Sequence, residues 1–147
     1  MNPKDYLCYC GLYCRRCPIV GVVPPQARAL FETMNRIGYA QWGEQAIDGF
    51  GRFWEILQQL AKQDETCPLC IGGCGNPGCE IRPCAQERGV EVCGLCDDYP
   101  CDKVNAFAEQ YPELIDNNNR IREIGLDAWL LEQEELVRQG KFYGNSE

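Results

Sequence analysis

The sequence contains no histidine, and it also lacks any long run of apolar residues. Without an imidazole the chain can form no Cys₂His₂ zinc finger, no Ser-His-Asp or Cys-His catalytic apparatus, and no histidine-held hydrolase metal centre. The longest apolar run, Ile19 to Val23, is far too short to cross a membrane, and no stretch near the start is long enough for a signal peptide. We therefore expect a cytoplasmic protein with no membrane partner.

Positive charge is scarce as well. The chain has 14 lysine and arginine residues against 22 aspartate and glutamate residues, which gives a formal net charge of −8. Metal centres built from four thiolates and one divalent ion would each add about two further negative charges. Such a surface repels a phosphate backbone, so nucleic acid is an unlikely partner. A protein partner remains open, although nothing in the sequence identifies one.

Cysteine, in contrast, is abundant: the chain of 147 residues has twelve, and they fall in two clusters with none between 17 and 67 or after 101. The cytoplasm keeps thiols reduced, which makes a framework of disulfides the weaker interpretation. Three pairs have two residues between their cysteines, at 14 and 17, 67 and 70, and 93 and 96. That spacing lets one turn direct both sulfurs at a single ion about 2.3 Å away.

The pairs at 67/70 and 93/96 are separated much as in zinc ribbons, so we expect these two pairs to share a site. Cys79, Cys84 and Cys101 need a fourth ligand, for which Cys74, Cys10 and Cys14 are all candidates. The predicted ligands are Cys10, Cys14, Cys17, Cys67, Cys70, Cys79, Cys84, Cys93, Cys96 and Cys101, with Cys74 and Cys8 less favoured. Cys8 ranks low because only one residue separates it from Cys10.

We interpret this ligand set as two or three zinc ions in closed, structural sites of four cysteines each, within a binding or regulatory module. No catalytic residue is predicted, and the sequence features favour a protein that is not an enzyme. Asp97, Asp98 and Glu80 lie beside ligand cysteines, but such carboxylates are more often solvated than catalytic.

The alternative is an iron–sulfur protein for electron transfer or redox sensing, because thiolates suit either metal. Cys10, Cys14 and Cys17 have the spacing of three-cysteine [4Fe–4S] enzymes, and the Cys-Pro at 17 and at 67 is also found in ferredoxins. The chain is too short for the partial barrel of a radical enzyme. A thioredoxin-like function would need a strand–helix start, which the prolines and glycines around the pairs do not support.

The predicted fold is mainly α, with a small α+β arrangement as an alternative, in a single domain. It combines a helical core with an irregular, glycine-rich lobe that metal stabilises through turns resembling zinc knuckles. The segments are an N-terminal cysteine knuckle (1–23), a helical pair (25–62), a cysteine-rich metal-binding lobe (64–101) and C-terminal helices (102–147).

Local signals refine these segments. The β-branched strip Ile19–Val23 predicts a short strand. In the helical pair, Gly38 ends the first helix and the second runs from about Glu44 to Lys62. One helical turn is expected near Pro83–Arg88. In the last segment, Asp102 is predicted to cap a helix that Pro112 ends, the asparagines at 117–119 to form a loop, and a helix to begin near Arg120 and break at Gly125.

Four motifs occur here in one order: Cys10-Gly-Leu-Tyr-Cys14-x-x-Cys17-Pro, Cys79-x-Ile-Arg-x-Cys84-Ala, Cys93-x-x-Cys96-x-x-Tyr-Pro-Cys101 and Ile124-Gly-x-x-x-Trp129-Leu. Together they resemble the prokaryotic family called domain of unknown function 3795, over roughly residues 8 to 135. The resemblance implies a small cytosolic, cysteine-rich protein that binds zinc, and it implies no particular activity. It covers the ten favoured cysteines, whereas Cys8 and Cys74 are additions in this chain.

Overall fold

The structure is a computed structural model that describes residues 2–144. It is mainly helical, as predicted, and within the described residues β pairing is limited to an isolated bridge between Leu7 and Tyr13. The α-helices are α1 (Pro18–Gly21), α2 (Val23–Arg36), α3 (Tyr39–Ala46), α4 (Phe50–Ala61), α5 (Gln63–Thr66), α6 (Ile81–Arg88), α7 (Asp102–Ala108), α8 (Glu113–Ile124) and α9 (Leu126–Arg138). Short 3₁₀ helices occupy Pro3–Tyr6, Cys14–Arg16 and Cys93–Leu95. None of the helices described here is long and apolar enough to cross a membrane.

The chain divides into two compact units. The first unit contains residues 2–16 and 68–141, and the second contains residues 17–67 and 142–144. The division cuts through two of the three Cys-x-x-Cys pairs, since it falls after Arg16 and after Cys67. That the chain folds as a single domain stays a prediction.

The second unit begins with two helices where the sequence predicted a strand. The strip Ile19–Val23 is helical: Pro18 stands at the first position of α1, with Cys17 as its N-cap residue. The first turn of α2 likewise holds Pro24 and Pro25. The prediction is wrong because a proline in the first helical turn sacrifices no hydrogen bond and presets the helical φ, which outweighs the β preference of the valines.

The core of the second unit is formed by α2 and α4 packed against each other. Ala27, Leu57 and Ala61 are buried there, and the rings of Phe31 and Trp54 lie beside them, 4.7 Å apart between centroids. The helix predicted from Glu44 to Lys62 is divided into α3 and α4 at Gly49, which has φ of 76°. Only glycine adopts that conformation readily, so the predicted single helix is broken there.

The first unit has its core between the N-terminal segment and the last two helices. Leu7, Tyr13, Val92, Ile121, Trp129 and Leu130 are buried together there. The break between α8 and α9 falls at Gly125, as predicted, with φ of 88°. Tyr13 donates a hydrogen bond to Glu134 of α9, and Arg15 forms an ion pair with the same carboxylate. The N-terminal segment is thereby fixed onto the last helix.

Two predictions for the C-terminal segment are wrong. Asn117–Asn119 do not form a loop, because α8 begins at Glu113 and includes them. Leu114, Asn118 and Ile121 share its buried face, so tertiary packing overrides the turn preference of asparagine. Asp102 is the first residue of α7 and not its cap; the N-cap position belongs to Cys101. The helical turn expected near Pro83–Arg88 is present and starts earlier, at Ile81.

Candidate metal centres

The N-terminal cysteines lie on a tight hairpin loop. The bridge between Leu7 and Tyr13 closes it, and the N–H of Cys8 donates to the carbonyl of Leu12 at 2.9 Å. Gly11, with φ of 97°, makes the turn. The loop therefore presents Cys8, Cys10 and the following Cys14 within one short, buried segment.

Helix α8 holds this loop through two asparagines. The side-chain amide of Asn118, fully buried, donates to the carbonyl of Cys10 at 2.7 Å, and that of Asn117 donates to the carbonyl of Gly11 at 2.9 Å. A Cβ at Gly11 would come within 2.5 Å of the Asn118 amide. Any residue other than glycine would thus push the loop off the helix.

The same helix holds the Cys93–Cys96 turn from the other side. A Cβ at Gly94 would lie 3.0 Å from the backbone oxygen of Asn118, and Arg122 donates to the carbonyl of Gly94 at 2.9 Å. The N–H of Cys93 donates to the carbonyl of Tyr9 at 2.7 Å, which joins the turn directly to the N-terminal loop. Two cysteine segments far apart in sequence are therefore fixed against one helix.

Three sulfurs gather beside the N-terminal loop, and we call Cys8, Cys14 and Cys70 the N-terminal thiol cluster. The sulfurs of Cys8 and Cys14 are 3.5 Å apart, and the N–H of Cys70 donates to the sulfur of Cys14 at 3.4 Å. Cys70 and Cys10 also lie near enough to Cys8 to influence its pKa. The cluster thus draws on two segments separated by more than fifty residues.

The three thiols of this cluster differ in pKa. Hydrogen bonds to the sulfurs of Cys10, Cys14 and Cys70, together with burial, raise the pKa of the Cys8 thiol well above its usual value. The hydrogen bond from Cys8 lowers the pKa of Cys14. It also lowers the pKa of Cys70 to about 6, helped by a backbone contact at Tyr9 and by Arg82. These pKa shifts therefore favour the thiol form at Cys8 and the thiolate form at Cys14 and Cys70.

Arg82 of α6 positions the loop that carries Cys70. Its Nε donates to the carbonyl of Cys70 at 2.8 Å and its Nη2 to the carbonyl of Cys74. The sulfur of Cys70 is 4.0 Å from Nη2, and Cys74 and Cys79 lie near enough to influence the same guanidinium. In this loop the buried Leu69 has φ of 61°, a conformation that costs energy in a branched residue and often accompanies a functional site.

The second group, which we call the pocket thiol cluster, lines a cavity of about 240 Å³. Its members come from α6, the 3₁₀ turn and the start of α7: Cys84, Cys93, Cys96 and Cys101. Arg88 and Asp98 lie on the same wall. Burial, with the nearby sulfurs of Cys10, Cys101, Cys84 and Cys96, raises the pKa of Cys93 to about 12. The Cys93 thiol therefore resists ionisation unless a cation compensates its charge.

The grouping differs from the one that the spacing indicated. Cys70 contacts Cys8 and Cys14, whereas Cys93 and Cys96 share a cavity with Cys84 and Cys101. That the 67/70 and 93/96 pairs share a metal stays a prediction. Cys8, ranked lowest by spacing, contacts the sulfur of Cys14 and lies near those of Cys10 and Cys70.

Two predicted ligands lie in the second unit. Cys17 is the N-cap residue of α1 and Cys67 the C-cap residue of α5, and these two short helices pack against each other. Their role as ligands stays a prediction.

The thiols of each cluster lie near one another but do not form a closed coordination shell. In residues 2–144, no three or more cysteine, aspartate or glutamate side chains are arranged to hold a metal ion. The donor chemistry nevertheless suits zinc or iron–sulfur clusters. The 3.5 Å between the sulfurs of Cys8 and Cys14 is close to the separation of about 3.8 Å that two ligands have in a tetrahedral zinc–sulfur site. The sulfurs of Cys8 and Cys14 are therefore spaced as two ligands of one ion would be.

Sequence reasoning missed the residues that position the cysteines. Asn118, Arg82 and Arg88 contact the cysteine segments or their sulfurs. Arg82 lies inside the motif Cys79-x-Ile-Arg-x-Cys84-Ala, but the motif gave it no role, and the other two lie outside the cysteine motifs. A usable signal did exist for Asn118, which lies four residues after Leu114 and three before Ile121 on one helical face. A polar residue in the middle of an apolar stripe indicates a buried hydrogen bond.

Comparison with known families adds an independent finding. The model of the family described as "Protein of unknown function (DUF3795)" matches residues 6–106, which is more than half of the chain and includes all twelve cysteines. No curated protein and no solved structure matches the chain. The resemblance seen in the motifs is confirmed, and the chain belongs to the DUF3795 family of proteins of unknown function.

Proposed function

We propose that this protein is a cytoplasmic metal-binding module in which cysteine thiolates hold zinc at two centres, and that the zinc is structural. One centre uses the N-terminal thiol cluster and the other uses the pocket thiol cluster. The observation that carries the proposal is the convergence of cysteines from separate segments: Cys70 reaches Cys14, and four cysteines line one cavity. Unrelated buried thiols would have no reason to meet twice in one small unit.

Zinc in such centres supplies cross-links between segments that bury little apolar surface. The segments at 67–80 and 89–101 contain short turns and only the first unit's small core to support them. Structural zinc provides folding free energy directly, since the ligand geometry does not exist in the unfolded chain. At the pocket thiol cluster, which has four cysteines, a shell of four thiolates leaves no open coordination position, so that centre involves no catalysis by the metal.

The test uses the intact chain, purified without oxygen, and paired serine variants. Elemental analysis of the wild-type protein is expected to find two zinc ions per chain. The C8S/C14S variant should lose one ion and the C93S/C96S variant the other, so each variant is the matched control for the opposite centre. Wild-type protein without stoichiometric metal would contradict the proposal, as would a double variant that retains both ions.

An iron–sulfur cluster is the second candidate, and the cavity favours it at the pocket thiol cluster. A volume of about 240 Å³ corresponds to roughly eight water molecules. A single zinc ion held by four sulfurs needs no such space, whereas a polynuclear cluster occupies more of it. Anaerobically purified protein would then be brown, with iron and acid-labile sulfide that the C93S/C96S variant lacks. A colourless preparation with stoichiometric zinc would exclude this candidate.

A further inference from the structure

Helix α6 directs one arginine towards each thiol group, and the two arginines do different things. Arg82 donates hydrogen bonds to the carbonyls of Cys70 and Cys74, so it stabilises the loop that carries these two cysteines. Arg88 points a nitrogen at a sulfur: its Nη1 lies 3.6 Å from the sulfur of Cys96. The side chain of Arg88 is about half exposed, which leaves no packing reason for it to adopt this position.

Arg88 is also held in place. Its Nη2 lies 2.6 Å from a carboxylate oxygen of Asp98, two residues after Cys96. A guanidinium is a planar fork, so anchoring one arm on a carboxylate fixes the direction of the other. Here the fixed arm faces Cys96, and Cys84 lies near enough to influence the same guanidinium. One arginine thus contacts the sulfur of Cys96 and lies near that of Cys84.

We infer that Arg88, anchored by Asp98, is a positioning residue of the pocket centre that donates N–H groups to the sulfurs of Cys96 and Cys84 and thereby strengthens metal binding there. The inference rests on the proposed function. Four thiolates around a divalent ion retain two negative charges, and N–H donors beside the sulfurs delocalise part of that charge. Groups that orient metal ligands in this way typically contribute ten- to hundredfold to affinity.

The experiment loads the intact, oxygen-free protein with Co²⁺ alone, whose sulfur-to-metal absorption reports on the ligands, and measures affinity by chelator competition. R88M keeps the length and the apolar stem of the side chain but removes every N–H. We expect one of the two bound ions to be released about 10- to 100-fold more readily. Its sulfur-to-cobalt absorption should shift to lower energy, because a sulfur lone pair without a hydrogen bond is held less tightly.

Two further variants make the result specific. R120M removes an arginine that also forms short ion pairs, with Glu132 and Glu123, on an exposed face of α8. It should leave both affinities and the spectrum unchanged. R88K keeps the positive charge in one compact group that cannot contact Asp98 and both sulfurs together, so it should recover only part of the affinity.

The outcomes separate this inference from the proposed function. If the wild-type protein binds no Co²⁺ or Zn²⁺ through sulfur, both fail. If it binds two ions and R88M matches the wild type in affinity and absorption energy, the proposed function stands and the role of Arg88 is refuted. Loss of both ions together in R88M, with altered backbone circular dichroism, would make Arg88 a general structural residue and would equally refute the inference.

Discussion

The second unit packs α2 against α4 over Leu57 and its neighbours, whereas the first unit arranges short turns around thiols and fixes them to α8. The difference follows the cysteine content: the second unit has only two cysteines, each at a helix end, and its two main helices are 14 and 12 residues long. Where cysteines are dense, apolar residues are spaced by glycine and regular structure is short. Both units have a buried apolar core, and the first unit adds to its core the segments in which thiols gather.

Metal removal is expected to have the largest effect, and it should separate the two units. A strong chelator should remove protection from hydrogen exchange in residues 8–14, 68–80 and 89–101, while the amides of α2 and α4 keep theirs. Structural zinc contributes on the order of 10 kcal/mol in small domains, so exchange in those loops should accelerate by roughly a thousandfold or more. Mass-spectrometric exchange on the intact chain measures both units at once. If the chelator changed hydrogen exchange equally in both units, the proposed difference between them would be contradicted.

A core truncation in the second unit should act without regard to metal. Leu57→Ala removes a side chain that is only 3% exposed, which typically costs about 2–5 kcal/mol in free energy of unfolding. Ile56→Ala, at a neighbouring position that is 39% exposed, is the matched control and should cost much less. Chemical denaturation followed by exchange in α4 is the measurement. A Leu57 effect that changes when the chelator is added would show that this core also depends on metal.

The smallest of the three effects should come from the helix that holds the cysteine loops. Asn118→Ala leaves the carbonyl of Cys10 without its buried donor, at a cost of about 1–3 kcal/mol in free energy of unfolding. Asn119→Ala is the control, because the amide oxygen of Asn119 only accepts an exposed hydrogen bond from Tyr99. In thermal unfolding of the zinc-loaded protein, the melting temperature of Asn118→Ala should lie well below that of Asn119→Ala. Equal losses would mean that Asn118 does not support the loop.

Periodicity predicted much of the fold, for physical reasons that differ along the chain. The helix before Gly38 and the break at Gly125 follow from apolar spacing and from glycine's conformational freedom, which are local properties. The errors at Ile19–Val23 and Asn117–Asn119 arose where a neighbouring proline or a buried face overrode local preference. The proline effect is local and readable from the sequence, whereas the buried face depends on which residues meet in three dimensions.

The candidate centres show the same limit. Residue type and spacing indicated candidate ligands for metal, but spacing predicted neither the contact of Cys70 with Cys14 nor that of Cys8 with Cys14. Both depend on the hairpin loop that places Cys8 beside Cys14, and on Arg82, which shapes the loop of Cys70. Spacing indicates whether the two sulfurs of one turn can reach the same ion, but it carries no information about which turns come together.

X-ray absorption at the zinc edge of wild-type protein, purified without oxygen, tests most directly whether these thiols are metal ligands. The spectrum should show a first shell of sulfur alone, close to four atoms at about 2.3 Å, or the corresponding iron–sulfur shell at the iron edge if the cavity holds a cluster. A first shell of oxygen or nitrogen, or protein without bound metal whose cysteines are oxidised to disulfides, would contradict the account.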